Sequence, residues 1–424
     1  MKTIGIFLSL LLALTLIQGC SKSGSSTASP SSVRLVNATT NYATLDLITS
    51  SAALVSGVAA GGASAYASIA SGNSTFTLEL GGSGTPSAQT TLSLAQSVAY
   101  TLVAYTSAQQ LQVMPLSDNE VAPATGDGKI RVSNLSPDAG SVDIYLTANG
   151  GTLSAASILA GGLTGTTGYF EIAKGTYHIW VTGPGDKTDL RLDLPSIAIS
   201  DQQVVTLILT STTGGVLVDG LFVTQNGAVS ANKNASARIR VAADIIANGN
   251  IAVTANGVSI ASTLRSPVVG PYALVPAGPL AMSVVVNGNT VNVPGLNAAA
   301  GADLTLLALG DGSVPQDYFL LNDDNTHPLN GQAKIRLVNG VNGLNDNISL
   351  TADYNLTALN VAPGAASAPA SVSSGIIGRL EVNSSQANTS LFLATNVSVQ
   401  SPGVYSLFML GNNVAPVGIL RRDR

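Results

Sequence analysis

Along most of the chain, apolar and polar residues alternate with a period of two. Val142, Ile144 and Leu146 are separated by Asp143 and Tyr145, and Leu190, Leu192 and Leu194 by Arg191 and Asp193. Successive side chains of a strand point to opposite faces, so such runs predict strands with one face in a core. Phe76, Leu78 and Leu80, then Met282, Val284 and Val286, then Ile348 and Leu350 repeat the pattern. Unbroken apolar runs at 204–209 and 304–309 predict central strands. Turn signals at Pro137-Asp138-Ala139-Gly140, Asn149-Gly150-Gly151, Asn256-Gly257 and Asn287-Gly288 recur at the spacing of a meander.

An apolar-Arg-apolar strand start then gives the period. It occurs at Val33-Arg34-Leu35, Ile130-Arg131-Val132, Ile239-Arg240-Val241 and Ile335-Arg336-Leu337, at spacings of 97, 109 and 96 residues. That is too long for a solenoid repeat and fits a whole small domain. Four units follow, at 33–124, 129–230, 236–328 and 333–424, separated by polar or turn-rich junctions. Seven or so short strands per unit predict an all-β chain of tandem immunoglobulin-like β-sandwich domains. Because each unit has its own alternating strands, four separately folded beads are expected, with protease cuts near residues 125, 232 and 330, or with one junction resistant if adjacent units dock in pairs.

Ahead of them, Lys2 precedes an apolar stretch over residues 4–17 that ends at Gln18-Gly19-Cys20. The stretch is too short to span a bilayer comfortably and has the proportions of a signal peptide, residues 1–19. A small residue directly before a cysteine resembles the lipobox of bacterial lipoproteins. That resemblance implies a diacylglycerol on Cys20, with a further acyl chain such as palmitate on the new N-terminus. Cys20 is the only cysteine, so no disulfide can form within a monomer. An ordinary secretory signal with a chance cysteine is the alternative. Ser21 follows Cys20 instead of the Asp that marks inner-membrane retention in enteric bacteria, which implies the outer membrane of a bacterial cell envelope. Residues 20–32, small and polar, predict a flexible tether reaching roughly 20 Å from the lipid.

Residues 130–145 read IRVSNLSPDAGSVDIY. In this they resemble bacterial exported lipoproteins built from tandem copies of the domain of unknown function numbered 4397, which open with an Arg-Val strand, a Ser-Pro-Asp-Ala turn and a Val-Asp-Val-Tyr strand. The family's later Lys-Gly or Pro-Ala-Gly turn is similar to residues 174–181 and to Pro276-Ala277-Gly278. Its penultimate strand is similar to Tyr100-Thr101-Leu102-Val103-Ala104, and its acidic closing turn to Leu116-Ser117-Asp118-Asn119 and to residues 321–325. The fourth unit is the divergent one. The resemblance implies a fold and an exported location, with no catalytic residues. Where the family often has His after the opening strand, this chain has Asn37, Asn134 and Asn339, and the position is expected to shape a turn.

Composition narrows the chemistry. Only 10% of residues are charged, against roughly 25% in an average soluble protein, and the net charge is −5. A nucleic-acid partner is therefore not expected, because nothing could neutralise a run of phosphates. Aromatics are 4%, too few for the girdles of a membrane β-barrel. With His178 and His327 as the only histidines, no zinc cluster can form, and a Ser-His-Asp triad would have to use one of the two. Asp317, Asp323, Asp324 and Asn325 offer oxygen ligands but lack the spaced pattern that wraps calcium, so a solvated inter-domain turn is expected. The glycine clusters at 81–84 and 161–165 introduce no P-loop lysine and are expected to be turns. No catalytic residue, metal or cofactor is predicted.

One pair stands above this background. His178 and the single tryptophan, Trp180, share the sheet face opposite Tyr177, Ile179 and Val181. If those three face the core, Trp180 faces outward. It then either anchors a glycan or protein partner or covers an edge or a neighbouring unit. Three classes of function follow. The first is a noncatalytic envelope lipoprotein acting as a surface or periplasmic binding or spacer module, attached to the membrane by its lipid. The second is an adhesin for carbohydrate or another envelope polymer. The third is a carboxylate-based hydrolase, for which no suitably paired acids are evident.

Overall fold

A computed structural model describes residues 29–424, apart from 51, 108–109, 292, 294, 311–314 and 385–389. The signal peptide and Cys20 lie outside the described residues. The tether ends sooner than its composition suggested. Ser31 and Ser32 already pair with the first sheet, and the Ser31 hydroxyl donates to the Ala95 carbonyl at 2.6 Å.

Each unit is a sandwich of two main sheets, and in the third a separate two-stranded ladder joins Gly278–Leu280 to Leu296–Ala298. In the first, the opening strand Ser31–Asn37 lies between Ala67–Ile69 and Ala99–Ser107, and the latter pairs with Gln110–Ser117. The facing sheet runs Ala52–Ala59, Thr44–Thr49, Gly72–Leu80, Pro86–Leu94. The same order returns in the second unit around Asp127–Asn134 and Val204–Ser211, with Val229–Asn232 added at the edge. It returns in the third around Ser236–Ile245 and Asp303–Gly310, and in the fourth around Gln332–Asn339 and Gly403–Gly411. In every unit the opening strand and the returning one are parallel, whereas the neighbouring pairs are antiparallel. The two-layer build is that of immunoglobulin-like sandwiches, with a strand order of its own. Among the described residues there is no α-helix.

The alternating residues fill four separate cores. Leu45, Phe76 and Leu78 pack in the first, Val142, Ile144 and Leu192 in the second, Ile251, Val284 and Val286 in the third, and Ile348, Leu350 and Val382 in the fourth. Asn256-Gly257 and Asn287-Gly288 turn their hairpins with both residues at positive φ, the conformation such two-residue turns need. At Gly161-Gly162 the expected turn is instead a bulge within the strand Ser157–Leu163, where the Gly162 N–H meets Asp143 Oδ1 at 2.7 Å.

Beads they are not. The opening and returning strands are buried on both faces, which explains their near-continuous apolar sequence. Val33 and Leu35 enter the first core, while Val36 and Val103 point the other way and meet Leu135, Ile208, Leu221 and Val223 of the second unit. The third and fourth units dock likewise through Ala242, Leu307 and Leu309 against Val338, Phe408 and Leu410. The chain thus forms two cemented pairs. Between the pairs, Gly214 N–H donates to the Gly301 carbonyl at 3.0 Å. Gly301 is at φ +73°, and a β-carbon there would lie 2.5 Å from Thr212 Cβ, so this approach requires glycine.

Candidate functional site

The alternation does put Trp180 on the outer face of its sheet, since Ile179 and Val181 enter the core. The indole is nevertheless only 4% exposed. The 3-10 turn Leu153–Ala155 lies over it, so that Tyr145, Ala156, Leu153 and Leu190 enclose it. Lys187 holds that turn down by donating to the carbonyls of Ser154 and Ala156, each at 3.1 Å. His178 stacks on the indole with ring centroids 3.6 Å apart and meets the Asp193 carboxylate. The outward exposure expected for Trp180 is therefore corrected. A local cover built from residues 153–156 occupies the face that alternation alone left open.

The other histidine meets an aspartate only through its backbone. Asp138, from the Ser-Pro-Asp-Ala turn, accepts from His327 N–H at 2.6 Å and from the Ser211 hydroxyl at 3.1 Å. The His327 imidazole, however, interacts with the Pro137 carbonyl and accepts at Nε2 from Arg424 at 2.9 Å. Burial, then the neighbouring Arg424 guanidinium, lowers its pKa to about 4. This histidine is spent on locking the C-terminus and the junction between the third and fourth units onto the second unit, where Arg424 also donates to the Gly215 carbonyl at 2.9 Å.

Much of the buried charge belongs to a repeated module. The parallel register sets each opening-strand arginine opposite a hydroxyl: Arg34 opposite Thr101, Arg131 opposite Thr206, Arg240 opposite Thr305 and Arg336 opposite Ser406. In each case the arginine Nε donates to that hydroxyl, at 2.7–2.9 Å. In the first three units a tyrosine ring, Tyr66, Tyr169 or Tyr272, covers the guanidinium at 4.5–4.6 Å. The hydroxyl donates in turn to a carboxylate from the closing turn: Thr101 to Asp118, Thr305 to Asp323, both at 2.6 Å, and Ser406 to Asp423 at 2.5 Å. The sequence displays the arginine, the hydroxyl and the acid; only the parallel pairing reveals that they meet.

Asp323 was expected in a solvated turn. Its carboxylate is instead fully buried, accepting from Thr305 and Tyr272 and paired with Arg240 at 3.3 Å and Arg336 at 2.5 Å. Burial pushes its carboxyl up, but the two guanidinium groups outweigh that and hold it below the usual range. Asp324 pairs with Lys334 at 3.1 Å, and Asn325 donates to Asp303 at 2.7 Å. Among the described residues no group of three or more His, Cys, Asp or Glu is placed to hold a metal. Asn37, Asn134 and Asn339 use their amides to tie the opening strand to carbonyls of the facing sheet and its loops, as in Asn37 Nδ2 to Val58 O at 3.0 Å.

A cleft of about 280 Å³ opens where the first three units meet. The first unit contributes Thr39, Thr40 and Gly61, the second Thr210, Thr213 and Asp219, and the third Ala300. Asp219 is half-buried, and burial raises its carboxyl above the ordinary value.

In comparisons with known proteins, the profile of the domain of unknown function (DUF4397) matches residues 31–145 and 237–345, more than half of the chain. No curated protein matches it. Among solved structures, the chain is similar to the Bacillus anthracis TIE protein at 8% identity and a TM-score of 0.17, with 87% of this chain and 65% of that chain covered. It thus spans less than two thirds of that protein. It is also similar to an adhesin candidate from Bacteroides thetaiotaomicron at 8% identity and a TM-score of 0.17, covering 71% of this chain and 97% of that one. Neither likeness bears on function.

Proposed function

This chain belongs to the family of the domain of unknown function DUF4397, and we propose that it works as a noncatalytic, lipid-anchored binding and spacer module of the bacterial cell envelope. The observation that carries the reading is where the buried charge goes. Arg34, Arg240, Arg336 and Asp323 are all buried, and each faces a neighbouring sandwich or its own module instead of an open cleft. A catalytic acid or base needs access to a reacting group, and these groups have been given to rigidity. A stiff array of sandwiches behind a short lipidated tether suits a protein that holds something at a fixed distance from a membrane.

Anchoring and binding are tested together. Wild-type chain should partition into the detergent phase and Cys20→Ala into the aqueous phase, with acyl and diacylglyceryl mass on the Cys20 N-terminus. Wild-type chain should also retain polymer from envelope fractions. An unmodified Cys20 would sink the anchor, and failure to retain any envelope component would sink the binding role.

A further inference from the structure

We propose that the cleft at the meeting of the first three sandwiches binds a single neutral sugar residue of an envelope glycan, with Asp219 as its principal hydrogen-bond acceptor. The inference rests on the binding-module reading and names its site and ligand class.

The cleft is a product of assembly. No single sandwich contains it, and its walls are fixed where they cross between units. Thr212 Oγ1 interacts with the Gly301 carbonyl at 2.9 Å, which holds the Ala300 turn of the third unit against the second. Asn234, in the junction between those units, sends its side-chain amide to the carbonyls of Arg191 and Val218 at 2.6 and 3.0 Å. Its backbone N–H donates to Asp219 Oδ1 at 2.8 Å. The carboxylate is therefore oriented by a rigid turn before any ligand arrives, and preorganisation of this kind lowers the cost of binding.

Asp219 also differs from two acids of the third unit's ion-pair network. Asp303 and Asp323 each carry a guanidinium partner, whereas Asn234 N–H is the one hydrogen bond that Asp219 accepts among the described residues. A carboxylate has room for about four hydrogen bonds, so most of its capacity faces the cleft. Burying a polar group without partners is costly, and a ligand that supplies hydroxyl protons recovers that cost.

The rest of the lining selects the ligand. Thr40, Thr210 and Thr213 bring hydroxyls that can donate or accept, and Asn232 and Lys233 bring donors. Ala38, Ala60, Leu221 and Ala231 supply apolar patches, which match the C–H faces of a pyranose ring. Asp219 and Lys233 are the charged groups of the lining and cancel, so neither an anion nor a cation gains from a net field. A volume of about 280 Å³ is at the small end of ligand pockets, which run from roughly 300 to 1,000 Å³. That fits one sugar ring or a little more, and excludes a dinucleotide.

The test uses the full chain in detergent, titrated by calorimetry and saturation-transfer NMR with glucose, galactose, mannose and N-acetylglucosamine. Methylammonium and inorganic phosphate serve as charged probes. At least one sugar should bind with a Kd on the order of 1 mM, a weak affinity usual for a small contact. Asp219→Asn keeps the shape and the acceptor for Asn234 N–H, and should weaken that binding tenfold or more. Ala300→Phe, placed at an exposed position of the mouth, should block it. Emission from Trp180 in the second unit reports whether either variant still folds, and if Asp219→Asn does not, Ala300→Phe decides. The proposal is overturned if no sugar binds, if both variants bind as wild type does, or if methylammonium or phosphate binds in place of the sugars. Envelope polymer still retained by Asp219→Asn would remove this site and leave the binding role standing, whereas no retention by wild type removes the role itself.

Discussion

The two cemented pairs are built from one plan and joined by different chemistry. Between the third and fourth units the modules exchange charge. Arg240 of the third reaches Asp423 of the fourth at 2.5 Å, and Arg336 of the fourth reaches Asp323 of the third at 2.5 Å. Between the first and second units no arginine–carboxylate exchange between modules exists among the described residues, and the ion pair there is the partly exposed Lys129–Glu120 at 2.6 Å. Gln225 stands where the other units have their acid, and it bridges the backbone of Glu120, accepting from its N–H at 2.9 Å and donating to its carbonyl at 2.8 Å. Arg34, lacking an acid across the interface, donates to the carbonyls of Gly227 and Thr224 at 2.5 and 2.9 Å. One acid-to-amide difference thus replaces the buried module-to-module ion pairs of one junction with hydrogen bonds to backbone in the other, where the remaining ion pair, Lys129–Glu120, is partly exposed. Apolar docking is common to both, so it sets the geometry, and the polar layer sets how each junction responds to charge.

The largest difference should appear on truncation. Asp323→Ala leaves Arg336 without its carboxylate and Arg240 with one of two, inside a buried layer. Breaking a buried pair from one side costs about 3–5 kcal/mol. Gln225→Ala removes two neutral hydrogen bonds at a half-buried site and should cost about 1–2 kcal/mol. Denaturant unfolding of the full chain, with proteolysis near residues 330 and 125, measures both. Equal costs would mean that the ion pairs add nothing beyond the apolar contacts.

Acidification separates two groups on either side of the third unit. Asp244 lies in the third–fourth junction, its Oδ2 without a hydrogen bond, and burial raises its carboxyl to about 6. The folded state then keeps a proton that the unfolded chain has released, so this group's contribution to stability falls as pH rises from about 4 to 6. His327 has the opposite sign. Its folded pKa is lowered to about 4, so its contribution is complete above about 6.5 and is lost as pH falls to about 4. Each is worth about 1–2 kcal/mol after allowance for partial exposure, and in the wild type they nearly cancel. Unfolding measured at pH 7 and pH 4.5 should show Asp244→Asn losing more stability than wild type on acidification. His327→Gln should lose less or gain. Parallel behaviour of the two variants would refute the assignment.

How much of this was legible beforehand depends on whether a residue's partner is near in sequence. Alternation identified the strands around Val142 and Leu192, because the partner of each apolar face is whatever core the sheet builds. The unbroken run at 204–209 signalled burial on both faces, but its second cover is another unit, and no local pattern says which. Trp180 shows the limit from the other side. Its face was readable from Ile179 and Val181, whereas the cover from Leu153–Ala155 depends on a 3-10 turn and on Lys187 reaching its carbonyls. Asp323 was placed in solvent because an acidic turn usually is. What buries it is the arginine at 336, thirteen residues on in another domain. The Asp219 cleft left no trace in sequence, since its three walls come from three units.

The smallest effect is the one that most directly tests whether the two junctions are versions of the same device. Gln225→Asp restores the acid at the position held by Asp118, Asp323 and Asp423 in the other units. The new carboxylate would lie beside the carbonyls of Thr224 and Gly227 that Arg34 now uses, within reach of that guanidinium, while the bridge to Glu120 is lost. A partly buried ion pair gains about as much as its desolvation costs, so stability at pH 7 should stay within about 1 kcal/mol of wild type. The pH profile is where the change appears. A carboxylate paired with Arg34 has a folded pKa below its unfolded value, so its contribution is present above about pH 4 and is lost as pH falls further. The first pair should thereby gain acid sensitivity beyond that of its Lys129–Glu120 pair, seen as earlier proteolysis near residue 125 at pH 3.5 than in wild type. If the variant instead loses several kcal/mol at pH 7, the acid cannot be exchanged between units, and the two junctions are separate solutions that share only their apolar layer.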